Sequence, residues 1–246
     1  MNKARLLLVL LLAASSFAAT AKDVSYKSGD DTVNAVLYTP KGKGPFPALI
    51  VVHEWWGLND WVKEQADKLA EQGYVALAID LYRGKVATTA DVAHELMRGV
   101  PDDRSDRDLR AAFDYLKSLP DVKTDRIGAI GWCMGGGYAM DVALLEPTLA
   151  ADVINYGSLP TETDDLKKIN APILGLFGGL DRGITPDDVN KFDAQMKGLG
   201  KKVEVHIYPD AGHAFENPNN TAGYKKDDTA DAWKRTVAFL AETLKK

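Results

Sequence analysis

Short apolar runs alternate with amphipathic stretches along most of this chain. The run Phe46–His53 is almost continuously apolar and rich in branched side chains, which is typical of a strand buried on both faces. From Asn59 onward the apolar residues recur at helical spacing instead, and Gly73 is expected to close that helix. The first pattern predicts a strand and the second a helix, and the same alternation continues to the end of the chain.

The complete pattern predicts one hairpin, five further strands and five further helices. The strand predictions are a hairpin over 23–40 that turns at Gly29–Asp31, then Tyr74–Ile79, Arg126–Ile130, Val153–Gly157, Pro172–Phe177 and Val203–Tyr208. The helix predictions are Thr89–Met97, Arg107–Leu119, Met134–Leu145, Pro186–Leu199 and Asp227–Leu244. Strands that alternate with helices predict an α/β fold with a mostly parallel central sheet and helices on both faces.

The N-terminus has the layout of a secretory signal peptide. A short basic start leads into an apolar core from Leu6 to Ala14, and small residues end the segment at Ala19–Ala21. The apolar core is short for a bilayer span, so a retained membrane anchor is the weaker interpretation. We therefore expect residues 1–21 to be cleaved and residues 22–246 to form one secreted or periplasmic domain.

Charge and composition restrict the kinds of molecule that this protein is expected to bind. Cleavage after Ala21 removes Lys3 and Arg5 and no acidic residue, which takes the formal net charge from −5 to −7. An acidic chain without basic runs argues against nucleic acid and against an anionic membrane surface. We see no metal-ligand spacing and no phosphate-binding loop, so we expect no metal and no cofactor. The expected partner is a small-molecule substrate, and the expected oligomeric state is a monomer.

The sequence GWCMGG contains the only cysteine of the chain, Cys133. Exported proteins commonly use cysteines in pairs, and one thiol cannot pair internally. Gly131 and Gly135 flank it at the −2 and +2 positions, where a strand prediction runs into a helix prediction. This spacing matches the nucleophile elbow G-x-S-x-G with Cys in place of Ser. The alternative is a small buried core residue.

The elbow would place the thiol at the N-terminus of a helix. Amide dipoles there favour the thiolate form, and the amide of Met134 is positioned to receive a developing oxyanion. In the α/β-hydrolase order, an acid follows the nucleophile and a histidine comes last. Asp181 and His213 satisfy this order, each just past a predicted strand, so Cys133, Asp181 and His213 form the predicted triad.

Five other residues compete for these roles. Asp80 ends a strand but precedes the cysteine in the chain, and Asp210 is expected to shape a turn. Among the histidines, His53 is expected to have a structural role, His94 to lie on a helix surface and His206 to lie within a strand. None of the five displaces the predicted triad.

Four motifs together resemble the dienelactone hydrolase family: GWCMGG, AGHAF, HEWWGLN and AIDLY. The resemblance covers nearly all of residues 22–246. It implies an α/β-hydrolase fold and cofactor-independent hydrolysis of an ester or lactone. It also implies that Cys133 is the nucleophile, that His213 is the base and then the acid, and that Asp181 orients the imidazole. Glu54 would accept the thiol proton when substrate arrives, and Trp55 would supply the second oxyanion-hole amide.

The chain departs from the family at one position. Well-studied members carry an arginine four residues after the catalytic histidine, which binds the substrate carboxylate and holds the glutamate. Here that residue is Asn217, so a preference for an anionic lactone is left open. Asn217, Trp56 and Arg83 are candidate substrate-binding residues, and Arg83, Arg98 or Arg182 could replace the missing cation.

Three other functions remain open from the sequence alone. The first is a general carboxylesterase without lactone preference, which the residue Asn217 favours. The second is a non-catalytic binding protein on a hydrolase scaffold, against which three aligned groups argue. The third is a thiol redox role, which lacks a resolving cysteine.

Overall fold

Eight strands form a single sheet in the computed structural model of this protein, which describes residues 19–246. They are β1 (Thr20–Ser28), β2 (Asp31–Thr39), β3 (Phe46–Val52), β4 (Val75–Ile79), β5 (Val122–Trp132), β6 (Ala151–Asn155), β7 (Ile173–Gly178) and β8 (Val203–Tyr208). Their spatial order is β1-β2-β4-β3-β5-β6-β7-β8. The pairs β1–β2 and β2–β4 are antiparallel, and every other neighbouring pair is parallel.

Helices cover both faces of this sheet. They are α1 (Asp60–Glu71), α2 (Ala90–Arg98), α3 (Asp102–Ser118), α4 (Met134–Leu145), α5 (Thr163–Lys168), α6 (Pro186–Gly198) and α7 (Lys226–Leu244). One apolar cluster joins one face of the sheet to α1 and α7, and a second joins the other face to α3, α4 and α6. The predicted α/β-hydrolase architecture is therefore confirmed.

The central strands explain the continuous apolar runs in the sequence. All side chains of β3 from Ala48 to Val52 have no exposed surface, and β4 is equally buried. Complete burial of one large aliphatic side chain contributes roughly 1.5–3 kcal/mol, so these strands contribute strongly to the stability of the core. A rigid layer of this kind fixes the positions of the loops that follow each strand.

Three elements show the largest differences from the predictions. Helix α3 begins at Asp102 rather than Arg107, because its charged first turn, with Asp102 and Asp103, suits the positive end of a helix. Strand β5 begins at Val122, four residues earlier than predicted. Helix α5 was not predicted, because six mostly polar residues are too few to show a helical period.

The first described residues join the sheet. Thr20 pairs with Thr39 and Ala21 with Tyr38, so β1 includes the last two residues of the expected signal peptide. Residues 1–18, which carry the rest of that segment, lie outside the described residues. Within residues 19–246 no helix is long and apolar enough to cross a membrane.

Candidate active site

The carboxyl ends of five parallel strands meet at one edge of the sheet. Glu54 follows β3, Cys133 follows β5, Tyr156 follows β6, Asp181 follows β7 and His213 follows β8. Sites in α/β sheets form at this edge, since the loops there converge on one crevice. The topology thus brings together residues that are up to 159 positions apart in the chain.

Cys133 lies on a sharp turn between β5 and α4. Its backbone has φ of 56° and ψ of −120°, a region that residues other than glycine rarely occupy. A Cβ atom at Gly131 would collide with the carbonyl oxygen of Gly135, and one at Gly135 would collide with the carbonyl oxygen of Val52. The two flanking glycines are therefore steric requirements of this turn.

A continuous chain of contacts runs from the thiol to an acid. The Sγ atom of Cys133 lies 3.0 Å from Nε2 of His213, and Nδ1 of His213 lies 2.6 Å from Oδ2 of Asp181. The other oxygen of Asp181 accepts hydrogen bonds from the amides of Gly183 and Ile184, at 2.8 and 3.1 Å. The structure thus brings together the three residues predicted as a triad.

Electrostatics reinforce this chain. Burial alone would lower the pKa of His213, but its contacts with Asp181 and Cys133 outweigh burial and raise the pKa to about 10. Burial would raise the pKa of Asp181, but the hydrogen bonds from His213 and two backbone amides hold that pKa below its usual value. An ionised Asp181 beside a basic imidazole favours a proton on His213.

Glu54 is a buried residue in the wall of the same site. Its carboxylate accepts a 2.6 Å hydrogen bond from Nδ2 of Asn217 and has a 3.5 Å contact with the hydroxyl of Tyr156. Burial raises the pKa of Glu54 to about 7, although Asn217, His213 and Tyr156 each lower it. Asn217 thus holds the glutamate without supplying a positive charge.

A second buried glutamate was missed by the sequence analysis. The indole Nε1 of Trp132 donates to Oε2 of Glu216 at 3.3 Å, while Oε1 has no partner within residues 19–246. Burial, together with the nearby charge of Glu54, raises the pKa of Glu216 to about 8, although the hydrogen bond from Trp132 lowers it. This bond ties the histidine loop to the residue before Cys133. In the sequence, the only signal for Glu216 is that it is adjacent to Asn217.

Two residues at the site have backbone amides without a hydrogen-bond partner. Within the described residues, neither the amide of Trp55 nor that of Met134 donates to any other group. The hydroxyl of Tyr82 donates to the carbonyl of Trp55 at 3.1 Å and lies 3.2 Å from Sδ of Met134. Tyr82, the last residue of the AIDLY motif, therefore links the two residues predicted to form an oxyanion hole.

Two clefts meet at Cys133 and His213. The larger has a volume of about 750 Å³, and its walls include Glu54, Trp56 and Asn217. The smaller has a volume of about 600 Å³, and Arg98 lies in its wall. Both clefts reach the thiol and the imidazole, so a molecule bound across them would have its centre at Sγ.

Other predicted residues lie elsewhere. Arg83 is not among the residues that line either cleft, and its guanidinium pairs at 2.6 Å with the fully buried carboxylate of Asp108, so its assignment to substrate binding stays a prediction that this geometry does not support. Asp80 accepts hydrogen bonds from the amides of Tyr82 and Gly84 and shapes that turn. His53 is buried, with its ring between the carbonyl of Glu54 and the amide of Leu81. Within residues 19–246 no cluster of side chains is arranged to hold a metal ion.

Comparison with known proteins gives a consistent result. Residues 33–244 match the model of the dienelactone hydrolase family. A protein of Methylorubrum extorquens, named provisionally as a carboxymethylenebutenolidase, is 33% identical over 229 residues, which cover 87% of this chain and 78% of that protein.

Two solved structures have closely similar folds. A protein of Klebsiella pneumoniae, named provisionally as a dienelactone hydrolase, has a TM-score of 0.83 and 30% identity, and the match covers 91% of this chain and 99% of that one. A dienelactone hydrolase-like promiscuous phosphotriesterase from metagenomic libraries has a TM-score of 0.84 and 27% identity, with 92% and 99% coverage. The resemblance found in the four sequence motifs is thus confirmed at the level of sequence and of fold.

Proposed function

Since this chain belongs to the dienelactone hydrolase family and is a hydrolase of that kind, we propose that it cleaves a carboxylic ester or an enol-lactone through a thioester on Cys133. The observation that carries the proposal is the chain of contacts from Cys133 through His213 to Asp181 at the junction of two clefts. A nucleophile hydrogen-bonded to a base that is itself oriented by an acid is the arrangement that acyl transfer requires.

The reaction begins with attack of the sulfur on the carbonyl carbon. His213 takes the thiol proton through Nε2, and a C–S bond forms as the carbonyl oxygen becomes an oxyanion. The amides of Met134 and Trp55 stabilise that oxyanion, an effect worth about 3 kcal/mol per donor in comparable sites. The contacts of the Tyr82 hydroxyl hold these two residues in fixed positions relative to each other.

The oxyanion then collapses and the C–O bond to the leaving group breaks. His213 returns its proton to the leaving alkoxide, which departs as an alcohol or stays tethered when the substrate is a lactone. A water molecule next attacks the thioester, with His213 as its base, and the thiol and a carboxylic acid are released. Asp181 stabilises the imidazolium in both halves of the cycle.

Glu54 supports the same cycle by charge. The hydrogen bond of the thiol goes to His213 rather than to Glu54, so the imidazole is the nearest proton acceptor. An ionised Glu54 attracts the imidazolium form of His213, and the charge of His213 lowers the pKa of Glu54. We propose that Glu54 favours the thiolate–imidazolium pair, which differs from the role that the family resemblance implies, in which Glu54 itself accepts the thiol proton.

The test is Cys133→Ala with an activated aryl ester as substrate. We expect kcat/KM to fall at least about 10⁴-fold, since loss of the nucleophile removes the covalent route. Wild-type protein should also gain the mass of one acyl group during turnover. Cys133→Ser, which keeps the shape of the side chain, controls for folding, and near-wild-type activity of Cys133→Ala would refute the mechanism.

A general carboxylesterase is the second candidate function. Asn217 in place of an arginine favours it, because no lysine or arginine lies among the residues that line the larger cleft. Kinetics on a dienelactone beside a neutral aryl acetate separate the two. A kcat/KM for the dienelactone at least tenfold above that for the acetate favours the lactonase.

We further propose that residues 1–21 direct export to the periplasm or the medium. The basic start, the apolar core and the Ala19–Ala21 end support this proposal. Expression of the full chain should yield exported protein with the mass of residues 22–246. A chain that keeps its first 21 residues in the cytoplasmic fraction would exclude export.

A further inference from the structure

The larger cleft is distinctive in its charge. Its lining contains no lysine, arginine or aspartate, and Glu54, Cys133 and His213 are its only titratable side chains. The rest of its polar wall consists of amides and hydroxyls: Asn59, Thr88, Asn217, Asn219, Asn220 and Thr221. A wall of this composition offers hydrogen bonds to a ligand without offering a countercharge.

Several of these polar groups keep free hydrogen-bonding capacity. Asn59 uses Oδ1 to cap α1, which leaves its amide hydrogens available. Asn220 uses Nδ2 to hold the carbonyls of His213 and Ala214, which leaves Oδ1 available. Within the described residues, the side chains of Asn219 and Thr221 have no hydrogen-bond partner. The wall thus presents both donors and acceptors.

Two indole rings stand beside these amides. Trp55 and Trp56 are half-buried in the same wall, with ring centroids 5.0 Å apart and planes inclined at 60°. The ring of Trp55 is further held by an edge contact with His94 at 4.8 Å. Indole rings supply large apolar surfaces with little conformational entropy to lose on binding.

The smaller cleft provides the contrast. Arg98, Asp102 and Asp141 lie in its walls, so it presents charges of both signs. In the larger cleft a carboxylate would lie near Glu54, and the one group there that can carry a positive charge, the imidazole of His213, is already paired with Asp181 at 2.6 Å, so little would offset the repulsion and the loss of solvation. A hydroxyl group carries no such penalty, and it can donate to one amide and accept from another.

We propose that the larger cleft binds an uncharged, hydroxyl-bearing part of the substrate, as in an ester of a sugar or another polyol, and disfavours a carboxylate at that position. The proposal rests on the function proposed above and specifies its substrate class. Asn219 and Thr221 are the residues expected to determine this preference, because their polar groups are free and lie in the cleft wall.

The test compares three aryl acetates that share one reacting ester: phenyl acetate, 4-(hydroxymethyl)phenyl acetate and 4-acetoxybenzoate. For wild-type protein we expect kcat/KM for the hydroxymethyl ester to exceed that for the carboxylate ester at least tenfold. A carboxylate ester used equally well or better would overturn the proposal. Absence of turnover for phenyl acetate would instead refute the hydrolase function itself.

Two variants locate the preference. The double change Asn219→Ala, Thr221→Val should lower the kcat/KM ratio of hydroxymethyl ester to phenyl acetate at least threefold. Asn219→Lys should raise the ratio of carboxylate ester to phenyl acetate about tenfold. Asn190→Ala, on the exposed face of α6, is the matched control and should leave every ratio unchanged. Unchanged ratios in both cleft variants would contradict the assignment.

Discussion

Two carboxylates interact electrostatically with His213, and their surroundings shift their pKa values in opposite directions. Asp181 accepts two backbone amides and the imidazole, and its pKa lies below the usual value. Glu54 is more deeply enclosed and accepts one strong hydrogen bond, from a neutral amide, and its pKa rises to about 7. Asp181 is therefore ionised throughout the neutral range, whereas Glu54 titrates within it.

The difference shows that hydrogen-bond donors, rather than residue type, decide which acid carries charge here. Burial pushes both pKa values upward, and only Asp181 has enough donors to reverse that effect. The Asp181 side supplies a permanent charge that orients the base. By contrast, Glu54 supplies a charge that depends on pH. Glu216, with a pKa of about 8, adds a second pH-dependent charge at more alkaline pH.

Among the variants that test the contrast between Asp181 and Glu54, the largest effect on activity is expected from Asp181→Asn. The amide keeps the size of the side chain but removes the charge that orients and stabilises the imidazolium. We expect kcat on an aryl acetate to fall about 10³- to 10⁴-fold, as in comparable triads. Steady-state kinetics measure this loss, and a fall of less than tenfold would show that Asp181 does not serve His213.

Glu54→Gln should have a smaller effect that depends on pH. Glu54 is protonated below pH 7 and ionised above it, so its attraction for the imidazolium exists only above that pH. We expect the kcat/KM of the variant to match the wild type below pH 6 and to be about tenfold lower above pH 8. A full pH profile provides the measurement. A uniform loss at all pH values would indicate a structural role.

Glu216→Gln should alter stability more than activity. The folded-state pKa of about 8 lies above the ordinary value of 4.5, so the native state keeps a proton that the unfolded chain releases. The contribution of Glu216 to the free energy of unfolding is thus complete below pH 4.5 and falls as the pH rises to about 8. The glutamine keeps the acceptor for Trp132 and cannot ionise.

We expect this variant to be more stable than the wild type at pH 9, by a few kcal/mol at most, and closer to it at pH 5. Urea unfolding at the two pH values measures the difference. Glu242→Gln, at an exposed position on α7, is the control and should keep the wild-type slope. An unchanged slope for Glu216→Gln would mean that this carboxyl ionises normally in the folded protein.

The smallest effect is expected from Tyr156→Phe. The 3.5 Å contact between its hydroxyl and Glu54 is at the limit of a hydrogen bond. We expect kcat/KM to change by less than about threefold. The inflection assigned to Glu54 should move to slightly higher pH, because one group that lowers its pKa is lost. A loss of a hundredfold would show that Tyr156 acts directly on the reacting atoms.

Much of the architecture followed from local patterns in the sequence. The buried strand Phe46–Val52 and the helix Met134–Leu145 are strongly patterned, and the glycines around Cys133 indicate the turn between a strand and a helix. The order of Cys133, Asp181 and His213 also suggested which loops would meet. Their catalytic roles stay predictions until the variants above are measured.

Pairings between distant residues could not be predicted in this way. Nothing local to Arg83 indicates that it turns toward Asp108, 25 residues away, rather than toward the cleft. The bond between Trp132 and Glu216 joins residues 84 positions apart. Such contacts depend on which side chains the completed fold leaves buried, and hydrophobic periodicity carries no information about individual polar partners.

The junction of the two clefts at Sγ of Cys133 affects the order in which the products are released. In the proposed mechanism the alcohol can leave through one cleft while the acyl group, still bound to Cys133, occupies the other. The water for the second half-reaction can then enter through the cleft that the alcohol has left. The order of events is then ping-pong, with the alcohol leaving first. A second alcohol that took the same route would compete with water for the acyl group, and added methanol would divert product from acid to methyl ester.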